Sequence, residues 1–432
     1  MKTIFRIALL ILVLTGMGLT EKAYATDGYF GVGYGAQNKG LAGAGTAWYK
    51  NGLINGNPAG NVFLGKKYLV GFEIFNPNRE YTISGNPSGM QGTMGLTPGT
   101  VESGSKAFLE PTLGANWMLN EKSSFSATLF GNGGMNTDYK TKTFYDPSSE
   151  STGINLAQMF LGLTYSRKIA EKQSLGVTAL VVYQYFSAKG VASFSQMSQD
   201  PTKVSGNGTD NATGLGFKLG YMGQLAKGLT LGVNYQPKIT MAKFSKYAGL
   251  FAEKGNFDIP SNFSAGLAWE LNKKWAILAD YKRINYTDVA SVSNEFDPQA
   301  LATAPLGSDK GAGFGWKDIN VYKAGIEFAG SNGWTLRGGY SHSDQPVQTT
   351  QTLFNILAPA VTTDHLTVGF SKQLGASKSA VHFALVYALP GSVTGYNPMD
   401  FDATQAAAGN MVPNQTINLK MNQLEFEVAF TF

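Results

Sequence analysis

The chain ends in the segment QLEFEVAFTF, residues 423–432, in which apolar and polar residues alternate. Successive side chains of an extended strand point to opposite sides, so Leu424, Phe426, Val428 and Phe430 share one face. In a soluble sandwich, the aromatic residue that ends this segment would lie exposed at a sheet edge. The segment therefore favours a strand whose apolar face meets lipid.

The same period of two recurs in seven other segments. One face of each carries Leu, Val, Phe, Tyr or Trp, while the other carries Gly, Thr and isolated charges. The segments are 68–74, 215–221, 229–235, 275–281, 322–328, 334–340 and 381–389. Outer-membrane barrels show this pattern, with apolar side chains facing lipid, polar ones facing the lumen and aromatics near both interfaces. We therefore predict an all-β fold, a transmembrane antiparallel β-barrel.

The connections between the segments alternate between short turns and long loops. The short turns are 120–122, 171–173, 226–228, 272–273, 330–333 and 375–377. The long loops are 85–104, 132–153, 190–212, 244–256, 290–316, 346–361 and 392–416. Six turns and seven loops join 14 strands, so we predict about 14 strands within residues 65–432, with both ends on the periplasmic side.

Composition excludes several classes of function. The 432 residues include 53 glycines and no cysteine, and only 15% are charged. Disulfides, thiolate metal sites and cysteine nucleophiles are therefore excluded. The formal net charge is +5 without any cluster of Lys and Arg, so we expect no nucleic-acid partner.

Residues 1–25 have the features of a signal peptide. Lys2 and Arg6 precede the apolar run 7–14, and Ala23-Tyr24-Ala25 supplies the small-x-small cleavage pattern. A membrane anchor is the alternative, but the apolar stretch is shorter than the ~20 residues that span a bilayer. Export together with the alternation predicts the outer membrane of a Gram-negative bacterium.

Residues 26–64 do not alternate and are rich in Gly and Ala. A disordered arm is one interpretation, but Trp48, Leu53, Ile54 and Val62 are too apolar for a solvated tail. A 14-stranded barrel has an interior that needs filling. We therefore predict that this segment is a lumenal plug, or hatch, that precedes the barrel of residues 65–432.

Several motifs carry a resemblance to a known family. They are Asn57-Pro58-Ala59 within WYKNGLINGNPAGN (48–61), GNGGMNTDY (131–139), Arg337–Tyr340 with Pro346, FNILAP (354–359) with His365 and Gly369, and the terminal Phe432. The first resembles the hatch motif of the FadL/TodX family of outer-membrane transporters of hydrophobic compounds, and the others fit the same family. The resemblance covers essentially the whole mature chain.

The resemblance implies a 14-stranded barrel with its hatch in the lumen. Members take up long-chain fatty acids, or aromatic hydrocarbons in the TodX branch, without an energy source. The implied route is capture on outer loops, transfer to a lumenal pocket, and lateral release through the wall. We therefore expect a monomer that contacts a hydrophobic small molecule, outer-membrane lipid and lipopolysaccharide, and that needs no cofactor.

The third and fourth long loops carry apolar residues on segments that should face water, and such patches often mark binding sites. The candidates for ligand capture are Phe194, Met197, Phe244, Tyr247, Leu250 and Phe251. The alternative is that they only pack the loops into a cap. In the family a hydrophobic groove lies between these two loops, which favours capture.

For the lumenal pocket, the family places the mature N-terminus against the ligand, which nominates Tyr29 and Phe30. A fatty acid also needs a cation for its carboxylate, whereas an aromatic hydrocarbon needs none. The inward-facing cations are Lys218, Lys282, Lys323 and Arg337, of which Lys323 and Arg337 are our candidates. The alternative is that these cations pair with the lumenal carboxylates Glu73, Asp280, Glu327, Glu425 and Glu427.

The lateral exit in the family is an inward kink of the third strand. Gly131, Gly133 and Gly134 follow the strand 125–130, and glycines favour bends and bulges there. An ordinary loop start is the alternative. Asn57-Pro58-Ala59 could likewise be only a turn; our hypothesis is that this motif fixes the hatch beneath the pocket.

An enzyme is the first rival to transport. The chain has three histidines, His342, His365 and His382, and the last two fall on the lumenal face. None belongs to a recognisable Ser/His/acid or HExxH arrangement, so we expect no catalytic residues and no metal site. An open diffusion porin and an outer-membrane adhesin remain as alternatives, and the sequence leaves the substrate open.

Overall fold

The computed structural model describes residues 27–54, 56–375, 379–407, 409–410 and 412–432. The predicted signal peptide, residues 1–25, and Thr26 lie outside the described residues.

The fold consists mainly of antiparallel β-strands. Their bounds are β1 Lys67–Ser84, β2 Gly99–Glu102, β3 Phe108–Asn120, β4 Ser123–Asn136, β5 Gly153–Ala170, β6 Gln173–Lys189, β7 Asp210–Ala226, β8 Leu229–Gln236, β9 Asn262–Glu270, β10 Trp275–Ile284, β11 Ile319–Ala329, β12 Trp334–Ser343, β13 Asp364–Gln373, β14 Ala380–Tyr396 and β15 Thr416–Thr431. From β3 onwards each strand pairs with the next along the chain, and β1 lies between β3 and β15.

Pairing of the last strand with the first closes the barrel. The register of β15 on β1 runs from Leu69↔Thr431 to Ser84↔Thr416. The four-residue β2 pairs with the outer end of β1, within the first long loop, so that 14 of the described strands form the wall. The predicted closed antiparallel barrel and its strand number are confirmed.

Side chains of the wall alternate between lipid and lumen. In β15, Phe426 and Phe430 are exposed on the outer face, whereas Glu425 and Glu427 are buried on the inner one. Exposed tryptophans lie next to the short turns: Trp117, Trp269, Trp275 and Trp334. Their position is that of an aromatic girdle at the periplasmic interface.

Helices of the described residues are short. The α-helices are Ala36–Lys39, Ala252–Gly255, Ala290–Ser293, Thr352–Asn355 and Ala403–Ala407. The 3₁₀ helices are Pro58–Phe63, Ala192–Met197, Pro201–Lys203, Ser245–Tyr247, Tyr286–Asp288, Pro298–Ala300 and Thr349–Gln351. In the part of the chain that the structure describes, none of the helices combines the length and apolarity that crossing a membrane requires.

The N-terminal segment, residues 27–64, contacts the inward faces of the wall strands. Ser166 Oγ donates to Pro58 O at 2.6 Å, and the backbone N–H groups of Gly45 and Thr46 donate to Asp280 Oδ2 at 2.9 Å each. A Cβ at Gly176 of β6 would overlap the backbone of Pro58. Because Gly176 has no side chain, the N-terminal segment can approach this part of the wall closely.

The long loops form an apolar core over the outer end of the barrel. Its largest fully buried side chains include Phe144, Phe194, Phe244, Tyr286 and Trp316, which come from four loops. The loops thus pack on one another rather than extending separately into water.

Candidate functional site

The wall has a break in pairing between β3 and β4. The β3–β4 ladder begins at the pair Leu113↔Leu129 and runs from there towards the periplasmic turn. Above it, β3 still pairs with β1 as far as Phe75↔Phe108, and β4 still pairs with β5 as far as Asn136↔Asn155. Residues 108–112 and 130–136 therefore face each other without ladder hydrogen bonds.

Contacts between loops close this break on its outer side. The N–H of Gly104 donates to Asp138 O at 2.8 Å, and Ser103 forms an isolated bridge with Tyr139. The break is thus a bounded opening in the half of the wall nearer the long loops. Pro111 lies within it, as expected for a residue that sheets accept at edges and bulges. This proline was a signal in the sequence that the prediction of a kink did not use.

The glycines predicted to bend a strand lie on the β4 side of this opening. The register of β4 on β5 shifts between Gly131 and Gly133, and Gly133 has φ 144°. Gly133 forms an isolated bridge with Phe30, and Gly31 N donates to Asn132 O at 3.2 Å. The N-terminal segment therefore occupies an edge of β4 that β3 leaves open.

A cavity of about 260 Å³ passes through the opening. On the lumenal side it is lined by Tyr29, Phe30 and Trp316. It is also lined by Leu109 and Tyr183, whose side chains are 67% and 39% exposed on the outer face of the wall. Residues of both faces of the wall therefore line this cavity.

The sixth long loop, residues 344–363, forms part of this cavity through Ala358, Pro359 and Ala360. Hydrogen bonds join this loop to the residues that directly follow β4. Thr137 Oγ1 donates to Leu357 O at 2.8 Å, and Tyr139 Oη donates to Ile356 O at 2.9 Å. These bonds hold the motif FNILAP against the opening.

Tyr29 and Phe30 belong to an aromatic cluster at the inner end of the cavity. The Tyr29 ring lies 5.2 Å from Phe30, 5.4 Å from Tyr286, 6.0 Å from Trp316 and 6.1 Å from Phe257, centroid to centroid. The predicted pocket did not include the last three residues, because they come from two separate loops and carry no shared motif. Their meeting depends on the closed barrel.

Lys323 binds an acidic residue of the N-terminal segment. Its Nζ lies 3.0 Å from Asp27 Oδ2 and also donates to Val32 O. Lys282 lies 3.3 Å from the same carboxylate oxygen, and Asp27 is 0% exposed. Burial alone would raise the pKa of Asp27, but the charges of Lys323 and Lys282 hold it below its ordinary value.

Arg337 is likewise paired within the lumen. Its Nε donates to Glu327 Oε2 at 2.9 Å, and its Nη1 donates to Ser371 Oγ at 2.6 Å. Arg337 does not line the cavity at the opening, and Lys323 lines a separate cavity of about 100 Å³ nearer the periplasm. The structure thus brings Tyr29 and Phe30 together at the opening and leaves the two candidate cations elsewhere.

Asn57 anchors the N-terminal segment beside this second cavity. Its Nδ2 donates to Thr46 O at 2.7 Å and to Tyr221 O of β7 at 3.1 Å. Its Oδ1 accepts from Ala59 N at 3.0 Å and so caps the 3₁₀ helix Pro58–Phe63. Asn57-Pro58-Ala59 therefore links two parts of the segment to the wall.

The six capture candidates lie in the apolar core of the loops. Phe194, Phe244, Tyr247 and Phe251 are buried, whereas Met197 and Leu250 are half-buried. The fourth-loop rings pack on Phe186, with Phe251 at 4.6 Å and Tyr247 at 4.8 Å between centroids. Phe194 packs elsewhere, against Phe144 and Phe354. The set is thus divided between two places in the cap.

Replacing Tyr247 by Phe should loosen the contact between the third and fourth loops. Tyr247 Oη accepts from Ala188 N at 3.0 Å and donates to Gly208 O at 2.6 Å. Leaving such buried groups unpaired costs about 1–3 kcal/mol. Hydrogen exchange should show faster exchange of the Ala188 amide, whereas Tyr183→Phe, which removes an exposed bond to Asn211, should not. Unchanged protection of Ala188 would contradict this expectation.

Comparison with known families identifies the architecture. A family model described as outer membrane protein transport protein (OMPP1/FadL/TodX) matches residues 28–394. This chain belongs to the FadL/TodX family. Its location is therefore the outer membrane, and the family to which it belongs transports hydrophobic compounds.

Solved structures show the same FadL/TodX fold. The toluene transporter TodX of P. putida has a TM-score of 0.66 at 18% identity, over 92% of this chain and 98% of that one. A FadL homologue of Pseudomonas aeruginosa has a TM-score of 0.65 at 14% identity, over 94% and 99%. The toluene transporter TbuX of Ralstonia pickettii has a TM-score of 0.60 at 17% identity, over 92% and 98%. No curated protein sequence matches the chain.

Proposed function

We propose that this protein carries small uncharged hydrophobic molecules, of the aromatic-hydrocarbon class, passively across the outer membrane and releases them sideways between β3 and β4. The observation that carries the proposal is the cavity that passes through the opening in the wall. A molecule leaving it enters lipid without crossing the aqueous periplasmic end of the barrel.

Apolar molecules need such a route because the polysaccharide coat blocks them and a water-filled channel offers them no favourable path. Each site along the route must bind the molecule without trapping it. Our candidates for outer capture lie at two places in the cap: Phe194 and Met197 on the third loop, and Phe244, Tyr247, Leu250 and Phe251 on the fourth. Tyr29 and Phe30 form the inner pocket, and Gly131, Gly133 and Gly134 shape the exit.

The lipid-facing surface below the opening supports lateral release. A depression of about 410 Å³ lies there, lined by Leu113, Ala115, Ala127 and Leu129 among other mainly apolar residues. The short side chains of Ala115 and Ala127, which are directly paired, leave this part of the wall recessed. A released hydrocarbon therefore meets an apolar surface at once.

Residues 27–64 act as the hatch in this proposal. Asn57 of this segment donates to β7, while Ser166 and Asp280 of the wall form hydrogen bonds with the backbone of the segment. The loops pack together above the segment. An open diffusion porin would need a polar, unobstructed path instead. The expected single-channel conductance of the native protein is therefore low.

An aromatic hydrocarbon fits the lining better than a long-chain fatty acid. The cavity is smaller than the roughly 300–1,000 Å³ of pockets for drug-sized ligands, and Tyr29, Phe30 and Trp316 line it. The candidate cations for a fatty-acid carboxylate, Lys323 and Arg337, are already paired with Asp27 and Glu327. TodX and TbuX are described as toluene transporters, which agrees with this choice.

Uptake of labelled toluene and labelled palmitate by cells without their own transporters tests the proposal. Cells that produce this protein should take up toluene faster than cells without it, while palmitate uptake should change little. Heat-modifiable gel mobility would confirm that the barrel is folded. Faster palmitate uptake alone would contradict the proposed substrate class, and no uptake of either compound from a folded barrel would contradict transport.

A further inference from the structure

Three carboxylates form a row across adjacent strands beside the opening. Glu73 of β1 pairs directly with Glu110 of β3 on one side and with Glu427 of β15 on the other. Glu73 and Glu427 are buried, and Glu110 is half-buried. Glu425 lies on the same face of β15. Like charges at directly opposed positions destabilise a sheet, so the row needs an explanation.

One lysine of the N-terminal segment neutralises part of this row. Lys39 Nζ contacts Glu73 and lies 2.8 Å from Glu425 Oε2. Burial alone would lower the pKa of Lys39, but Glu425 and Glu73 raise it well above its ordinary value, so the lysine stays charged. Among the described residues, neither Glu110 nor Glu427 has a Lys or Arg within ion-pair distance.

Glu110 holds the position closest to the opening. It belongs to the part of β3 that does not pair with β4, and it lines the cavity there. A Cβ at Gly131 of β4 would overlap Glu110 Oε2, so this carboxylate reaches across the opening to the glycine opposite. Any molecule that leaves through the opening must pass beside it.

The charged residues of the lining leave the cavity with a net negative charge, since three carboxylates face two cations. Its lining contains Glu73, Glu110 and Glu425 against Lys39 and Arg79. Lys39 is paired with Glu73 and Glu425. Arg79 keeps its positive charge but is held at the outer end of β4, where its Nη1 donates to Asn136 O at 2.7 Å. Charge interactions are strong where water is excluded, so a negative group beside the opening opposes the passage of another.

We propose that Glu110 is a specificity-determining residue that retards hydrophobic carboxylates at the lateral opening and lets uncharged molecules of the same shape pass. This inference rests on the proposed function, since it presumes exit between β3 and β4. It explains why an energetically costly carboxylate, without a paired cation among the described residues, lies at the edge of the opening.

The test compares p-xylene with p-toluate, which differ by one methyl group replaced by a carboxylate. Uptake is measured in cells that lack their own hydrophobic-compound transporters and general porins. Glu110→Gln should raise p-toluate uptake roughly tenfold and leave p-xylene uptake unchanged. Glu110→Asp, which retains the charge, should keep the discrimination of the native protein.

Glu80→Gln is the matched control, because Glu80 lies on the outward face of β1 and pairs with Lys420 at 3.0 Å. This variant should change neither uptake. Unchanged p-toluate uptake in Glu110→Gln, with p-xylene passing normally, would overturn the inference and leave transport intact. Failure of p-xylene uptake by the folded native protein would instead overturn the proposed function. If Glu110→Gln gives no heat-modifiable barrel, Glu110→Thr takes its place with the same expectation.

Discussion

Replacing Gly131 by Phe should reduce toluene uptake to the level of cells without the protein. Gly131 lies in the part of β4 that pairs with β5 but not with β3, and a side chain there would point at Glu110 across the opening. Gly131 has no left-handed φ, so the backbone accepts a phenylalanine and the carboxylate can turn aside. The ring would then fill the space between the two strands through which we propose the substrate leaves.

Gly338→Phe is the control for this experiment. Gly338 lies on β12, and a Cβ there would have Ile326 Cγ2 and Thr367 O as its nearest neighbours, both at 3.8 Å. The control therefore introduces the same ring into the wall away from the opening and should leave uptake unchanged. If Gly131→Phe folds into a heat-modifiable barrel and still takes up toluene normally, release between β3 and β4 is wrong.

Replacing Asn57 by Ala should loosen the hatch and make the barrel leak ions. Asn57 is 1% exposed, and its side chain forms hydrogen bonds with Thr46 O, Tyr221 O and Ala59 N. The loss combines a helix cap, worth about 1 kcal/mol, with buried partners that remain unpaired at about 1–3 kcal/mol each. The hydrogen bonds between the wall strands remain, so the barrel itself should persist.

Single-channel conductance in planar bilayers measures this effect, and hydrogen exchange of the 3₁₀ helix Pro58–Phe63 locates it. Conductance and exchange should both rise in Asn57→Ala. Asn418→Ala removes one exposed bond to Thr394 Oγ1 on the wall and should change neither. A closed channel with unchanged protection in Asn57→Ala would mean that Asn57-Pro58-Ala59 is a turn without an anchoring role.

Much of the architecture could be predicted because lipid and lumen impose opposite demands on neighbouring residues of every strand. The alternation at residues 423–432 places Phe426 and Phe430 outside and Glu425 and Glu427 inside, as observed. The same parity correctly predicts that His365 and His382 face the lumen, where both are buried. The turns and loops could also be predicted, because glycine-rich or charged stretches interrupt the alternation between strands.

The partners of the inward residues could not be predicted in the same way. Parity shows that Lys323 and Arg337 face inward, but pairing with Asp27 and Glu327 decides that they do not meet a ligand at the opening. Tyr29 lies 257 residues before Tyr286, with which it packs. Such contacts depend on where the N-terminal segment lies within the closed barrel.

Alternation along the chain is enough to predict an outer-membrane barrel of about 14 strands, because it is a local property that a lipid-embedded wall requires in every strand. Three features become visible only in the folded barrel: where the ladder between β3 and β4 stops, which carboxylate borders the opening, and which aromatic residues line the cavity behind it. These features depend on register and on contacts between distant residues, since neighbouring strands can continue or end their pairing without any change in their own alternation.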